Sequence, residues 1–335
     1  MHLTRFKYFR LSSRAEAARL LKEHGKCARL VAGGTDLYPR MKYGLTCPEV
    51  VISLKDADIK SPEVDESGNL HIDPLMTLAD VVRSPVIRSK FPILADAAHC
   101  VASHQIRNMA TLGGNICLEN RCLYFNQSHS FQFVAPCFKR DGDICYHFPK
   151  GKKCLAVFVA DTVPVLISLG AITTFTDGVN IRSLILEELY TGDALRPLDL
   201  NEGDILTEIV IPVQESPYKM GFSKFSLRGG VEFAALNVAV AVKMDNSKGA
   251  CGEARLTAGA ISQAPVRLKK AEAAIIGRLP TEDLFEDVAH LAIDEVSALP
   301  HHGYSATYLK ECLKVITKRV LADAFLFNET QEAII

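Results

Sequence analysis

Ala28-Arg29-Leu30-Val31-Ala32-Gly33-Gly34-Thr35-Asp36-Leu37 reads as a short buried strand, a tight glycine turn and the start of a helix. Adjacent glycines at such a turn can take positive φ and present successive backbone NH groups to an anion. Upstream, Leu11, Ala15, Ala18 and Leu21 share one helical face, with Ser12 or Ser13 placed to cap its start and Gly25 to close its end. Val50 to Leu54 reads as a further strand, so residues 1–55 form a small α/β unit with the turn at its functional edge. Asp36 would stand beside a bound phosphate as a like charge. It is expected either to lend its NH and point its carboxylate away, or to cap the helix that follows.

Thr111-Leu112-Gly113-Gly114-Asn115 repeats the glycine device farther along, and the two turns could grip one pyrophosphate from both sides. Neither GxGxxG nor GxxxxGK[ST] occurs, which argues against a Rossmann dinucleotide site and a P-loop. HExxH, GxSxG and the H-x-E with a following CxxC are also missing, so hydrolase and deaminase readings have no support.

The 335 residues suffice for two or three packed units, and 48% hydrophobic with 23% charged residues is an ordinary globular composition. A net charge of −1 carries no footprint for nucleic acid, so any nucleotide bound is expected to be a small cofactor. The first residues lack the apolar core of a secretion signal, and the most apolar stretch, Leu155 to Phe175, is broken by Asp161 and Pro164. A cytoplasmic protein without membrane contact is expected, with its ten cysteines reduced.

From 56 to 216 strands (Leu70 to Ile72, Ala171 to Phe175, Ile205 to Ile211) mix with helices near Leu78 to Val82, Ile93 to Val101 and Thr162 to Leu169. Pro212 to Pro217 reads as a linker to a third unit, 217–335. There Val238-Ala239-Val240-Ala241-Val242 alternates large and small residues, predicting a strand with one bulky face and one close-packed face. A second strand at Arg255 to Ile261 precedes helices predicted over Val266 to Ile276, Thr281 to Leu299 and Ala306 to Phe327. Leu309, Leu313, Ile316, Val320 and Phe327 form a packing stripe on the last helix.

Between about 117 and 157 neither period is clear, and Cys122, Cys137, Cys145 and Cys154 stand in a C-x14-C-x7-C-x8-C array. Four thiolates on one loop can hold an iron-sulfur cluster or a tetrahedral zinc, and a loop this long calls for a function or an internal clamp. Cys117 competes with Cys122 as a ligand but falls in an expected strand after the glycine turn, where a small thiol packs well. His129 and His147 are substitute ligands. Cys27, Cys47, Cys100, Cys251 and Cys312 are assigned to packing.

Several of these segments occur in an order that resembles the FAD-binding medium subunits of the molybdenum hydroxylases, the group of carbon monoxide and xanthine dehydrogenases. They are AGGTDL, His104-Gln105-Ile106-Arg107-Asn108 before ATLGGN, Asp161 before a short helix, Gly203 to Ile209, and Phe225-Ser226-Leu227-Arg228. The resemblance spans nearly the whole chain. It implies an α+β protein: a two-part FAD-binding domain, small α/β unit plus mixed-sheet unit, interrupted by the four-cysteine loop and followed by a C-terminal α+β domain. It also implies that Ala32, Gly33, Gly34, Thr35, Asp36 and Leu37, with Ala110, Thr111, Gly114 and Asn115, surround the FAD pyrophosphate and ribityl chain, with Ala102 nearby. Asp161 would accept from ribose hydroxyls; it is also well placed to cap the helix starting at Thr162, and the two roles are compatible. Ile205 and Leu206 would pack on flavin or adenine, and Lys224 would touch the flavin ring.

Most members of that group pass quickly from GGN to their equivalent of Ala160-Asp161, whereas here about forty residues intervene. The insertion resembles that of the 4-hydroxybenzoyl-CoA reductase branch, which implies a [4Fe-4S] cluster on the four cysteines. It further implies partners: a molybdopterin-containing large subunit, a small [2Fe-2S] subunit, a reduced ferredoxin as donor, and assembly as a dimer of heterotrimers. The chemistry so implied is reductive dehydroxylation to benzoyl-CoA on the partner subunit. Two alternatives stand beside it. One is the FAD subunit of another molybdenum hydroxylase that oxidises an aldehyde or heterocycle; the other is a flavin-binding module with a structural zinc loop.

Overall fold

Ser13 accepts a hydrogen bond from the Glu16 NH and starts helix α1 (Arg14–His24), which crosses from strand β1 (Lys7–Arg10) to β2 (Ala28–Val31). Helix α2 (Leu37–Lys42) then leads to β3 (Val50–Ser53), and the strands pair in parallel in the order β1-β3-β2. The computed structural model describes residues 3–127, 135–148, 150–213, 218–245 and 247–332, with side chains as far as residue 325. The buried face of α1 is Ala17, Ala18 and Leu20, while Ala15 is exposed. Leu11, Ala18 and Leu21 of the expected 11/15/18/21 face do pack in the first-unit core, Leu11 from just before the helix, and Ala15 alone of the four is exposed.

The second unit is a five-stranded antiparallel sheet in the order β4-β5-β8-β6-β7, built from β4 (Glu63–Val64), β5 (Leu70–Ile72), β6 (Ile172–Thr176), β7 (Ile181–Ile185) and β8 (Ile205–Ile211). Helices α3 (Leu78–Arg83), α4 (Pro85–Lys90), α5 (Pro92–His99), α6 (His104–Arg107), α7 (Leu112–Ile116) and α8 (Thr162–Ser168) belong to it. The insertion leaves after α7. Its ends are pinned by reciprocal backbone bonds, Arg121 NH to Val157 O at 2.7 Å and Val157 NH to Arg121 O at 3.0 Å. Its His129 lies outside the described residues, as does part of the 212–217 linker.

The third unit carries the sheet β12-β11-β10-β9, from β9 (Tyr218–Phe225), β10 (Leu236–Asp245), β11 (Ala250–Gly259) and β12 (Val266–Arg267). Helices α9 (Lys269–Ile275), α10 (Glu282–Glu295) and α11 (Ala306–Glu332) complete it. The expected helix at Val266 begins later, because Val266 and Arg267 first pair with Ala258 and Thr257 as an edge strand. The alternation in β10 does what its residues suggest. Val238, Val240 and Val242 face the core under the C-terminal helices with Leu309, Leu313, Ile316 and Val320, whereas Ala239 and Ala241 join the core of the second unit. Phe327 has its backbone in α11 and its side chain outside the described residues.

Every residue of α8 is buried, and the alanine face lets it lie directly on β10 and β11. Its Ser168 hydroxyl donates to the Thr257 hydroxyl at 2.9 Å. A Cβ at Gly259 would stand 2.5 Å from the Pro164 ring and 2.2 Å from Asn237 Oδ1, so the glycine keeps this contact close.

Two predictions follow from these contacts. Ala239→Leu should overpack the α8 seam and cost about 1–3 kcal/mol in urea unfolding; an unchanged midpoint would mean the seam is slack. His71 on β5 sits between Glu208 Oε1 (2.9 Å) and Asp65 Oδ2 (3.1 Å), and Glu208 foremost raises its pKa against the opposing effect of burial. A raised folded pKa means the stabilisation is complete below the unfolded value of about 6.5 and disappears as pH climbs through the folded one. The stability gap between wild type and His71→Gln should therefore be widest in acid and close in alkali.

Candidate functional site

The turn after β2 approaches the segment before α7 so closely that a Cβ on Gly33 would lie 1.9 Å from Met109 O. Gly34 has φ +70°, and a side chain there would also strike the Tyr38 ring at 2.4 Å. Among the described residues, none accepts the amide hydrogens of Gly33, Gly34, Thr35 or Asp36. A run of unpartnered NH groups in a glycine turn is a site for an anion. The second turn differs from expectation. Gly113 and Gly114 open helix α7 without positive φ, the Gly113 NH donates to Pro74 O at 2.8 Å, and the Gly114 NH donates to the Thr111 hydroxyl at 3.1 Å. Two amides are thereby spent on the fold, so the second turn buttresses the first more than it duplicates it.

Neither aspartate takes its capping alternative, and Asp36 keeps the other one, with its NH unclaimed and its carboxylate turned to a cation. Asp36 precedes α2 but makes no capping bond, and its carboxylate is instead held by Arg121 of the insertion, with Arg40 Nη1 at 3.8 Å. Asp161 precedes α8 without capping it either; Asn115 Oδ1 accepts from the Thr162 NH at 3.4 Å and from the Thr162 hydroxyl at 2.7 Å in that place. Asp161 is 3% exposed, accepting from Lys224 Nζ at 2.7 Å and Asn237 Nδ2 at 3.0 Å, two residues paired across β9 and β10. Burial raises its carboxyl above the ordinary range, while Lys224 and Asn237 pull the other way. The remaining Lys224 hydrogens go to Cys100 O (2.8 Å) and Glu232 O (2.9 Å), so the ammonium is fully engaged within the protein.

Ala102 takes φ +45°, a left-handed position that Arg107 secures by donating to Val101 O and Ala102 O at 2.7 and 2.9 Å. Ala110 O accepts from the Leu78 NH, joining the second turn to α3. Ile205 does not face an open site: its side chain, 1% exposed, lies in the core of the first unit with Ala17 and Val50. Leu206 packs towards Gly113, 3.3 Å from where that glycine's Cβ would stand.

Cys122, Cys137, Cys145 and Cys154 all line one cavity, of about 20 Å³, together with Lys139, Tyr146 and His147. The four thiols are a suitable donor set for a thiolate-bound centre, but the space now between them holds little more than a water. Among the described residues no three His, Cys, Asp or Glu side chains are gathered closely enough for a single ion, as tetrahedral zinc requires. Burial raises the Cys122 and Cys154 thiols, and Lys139 lowers the latter. Cys117 ends a helix instead of lying in a strand; burial pushes its thiol up to about 12, and it packs against the main core away from the cavity. Of the cysteines assigned to packing, Cys251 is buried and Cys312 half-buried, but Cys27 and Cys100, at helix ends, and Cys47, in the irregular segment before β3, are exposed.

A set of charges that the sequence did not announce ties the insertion to α2. Arg40 Nη2 reaches Glu119 Oε2 at 2.7 Å and Lys139 Nζ reaches it at 3.6 Å. Burial works to raise Glu119, but Arg40 and Lys139 outweigh it and hold the carboxyl below its usual value. The Arg121 guanidinium also lies over the Phe233 ring at 5.0 Å, and burial pushes its pKa down to about 10. Adjacency to Cys122 was the only sequence signal for Arg121, and it says nothing of Asp36.

Residues 4–214 match the family model described as FAD binding domain in molybdopterin dehydrogenase, and 222–324 match CO dehydrogenase flavoprotein C-terminal domain. The glyceraldehyde dehydrogenase medium chain of Sulfolobus acidocaldarius is 23% identical over 96% of this chain and 99% of its own. The nicotinate dehydrogenase FAD-subunit of Eubacterium barkeri is 26% identical over 95% of both. A chain of the Hydrogenophaga pseudoflava carbon monoxide dehydrogenase structure shares the fold, with a TM-score of 0.79 at 22% identity over 97% of this chain and 99% of that one.

Removing the cation from the buried pair should expose its energetics. Lys224→Gln leaves Asp161 without its counter-charge and is expected to destabilise the protein by about 3–5 kcal/mol, with much of the loss recovered in Asp161→Asn/Lys224→Gln. Equal midpoints for single and double variants in urea unfolding would contradict the coupling.

Proposed function

The chain belongs to the FAD-binding domains of the molybdopterin dehydrogenases, and from that premise we infer that it is the FAD-holding medium subunit of a molybdenum hydroxylase that oxidises an aldehyde or a nitrogen heterocycle. The observation that carries the flavin part is the turn at Gly33 to Asp36, with its unclaimed amides and with no room for a side chain at Gly33 or Gly34. The substrate class is supported by relatives named for glyceraldehyde and nicotinate. FAD, when bound, supplies exchange between one-electron and two-electron partners. Ala32 to Leu37 would hold its pyrophosphate, with Ala102, Ala110, Thr111, Gly114 and Asn115 around it, Asp161 at the ribose hydroxyls and Leu206 against a ring. Substrate chemistry would take place on a molybdopterin-containing large subunit, with a small [2Fe-2S] subunit between, in a dimer of heterotrimers. Among the described residues no helix is long and apolar enough to cross a membrane.

One observation favours a second reading. Four cysteines scattered over 33 residues of sequence line a single cavity, as a [4Fe-4S] site on this subunit would need. With such a cluster, fed by a reduced ferredoxin, the complex would reduce 4-hydroxybenzoyl-CoA with two electrons and two protons to benzoyl-CoA and water. Iron, sulfide and flavin counts on anaerobically purified protein separate the readings. FAD without iron on this chain purified apart from its partner subunits, together with aldehyde or heterocycle turnover by the assembled complex, is the expected outcome for the first. Four irons and four sulfides per FAD, lost in Cys137→Ser while flavin is retained, would establish the second. A preparation that takes up no flavin would sink both.

A further inference from the structure

The Arg121 side chain is about one-fifth exposed, and its Nε is buried with no hydrogen-bond partner among the described residues. Its carboxylate partner, Asp36, is shared with Arg40. Among the described residues, the ion pairs of Arg40, Arg121 and Lys139 are with Asp36 and Glu119 alone, and Arg29 adds its field at Glu119. A partly buried group with surplus positive charge is poorly compensated by the protein alone. It adjoins the same turn whose four amides are unclaimed. Phe233 covers one guanidinium face and so leaves the hydrogen-bonding edge as its outlet.

We propose that Arg121, delivered by the cysteine-bearing insertion, is a ligand of the FAD pyrophosphate, so that the insertion completes the flavin site. The inference rests on the flavin reading above. A dianionic pyrophosphate at the turn matches the charge surplus, and a guanidinium fork is suited to phosphate oxygens. On this account Asp36 is a placeholder for the anion: it holds Arg121 in position and competes with the dinucleotide for it.

FAD titration of the deflavinated full chain in its assembled complex tests this. Arg121→Gln should weaken FAD binding about tenfold or more, and Arg121→Lys should restore part of it. Asp36→Asn breaks the same ion pair but frees the guanidinium, and should tighten FAD binding several-fold. If both Arg121→Gln and Asp36→Asn weaken binding alike, Arg121 is only a structural pin and the proposal is overturned, as it is by unchanged affinity in Arg121→Gln. Failure of the wild type to bind FAD would instead remove the flavin reading itself.

Discussion

Helix α8 has no face turned to water, and the arrangement of the chain follows from that. A helix buried on all sides needs a neighbour on each, and here the second-unit core supplies some and the alanine face of β10 the rest. Its first turn is closed off from solvent, and the Thr162 NH there donates to Asn115 Oδ1. The third unit is therefore seated by packing, and its seating fixes Lys224 and Asn237 over Asp161.

Main chain and side chain divide the work around the turn at Gly33. The amides there are free because the fold finds no use for them, while those at Gly113 and Gly114 are consumed in holding the neighbouring segment. Charge is supplied from elsewhere: α2 and the insertion contribute cations that their two carboxylates do not fully neutralise.

Local signals were legible where local physics decides. The strand-turn-helix at 28–37, the Ser13 cap and the Val/Ala alternation of β10 each depend on neighbours in sequence. Gly113-Gly114 looked like a second anion turn because a glycine pair does not disclose whether its NH groups find acceptors, and Pro74 is 39 residues away. Asp36 and Asp161 were well placed as caps, yet each is drawn off by a cation from a distant segment: Arg121, 85 residues away, and Lys224, 63. The ring contact at Ile205 came with the resemblance alone; the strand was legible, but its side-chain direction depends on where the first unit docks. The convergence of four widely spaced cysteines was suggested by their count, but the size of the space between them was not.

The insertion stands on a narrow neck, since Arg121 and Val157 exchange hydrogen bonds where it leaves and returns. All three sheets are paired wholly outside it. Closing an excursion of this length at the neck adds only slowly growing entropy, so the sheets keep their registers while Arg121, Cys154 and His147 tie the insertion to the rest of the chain. A lineage could thus acquire a sulfur-rich annex on an old flavoprotein scaffold while the scaffold's own architecture stayed unaltered.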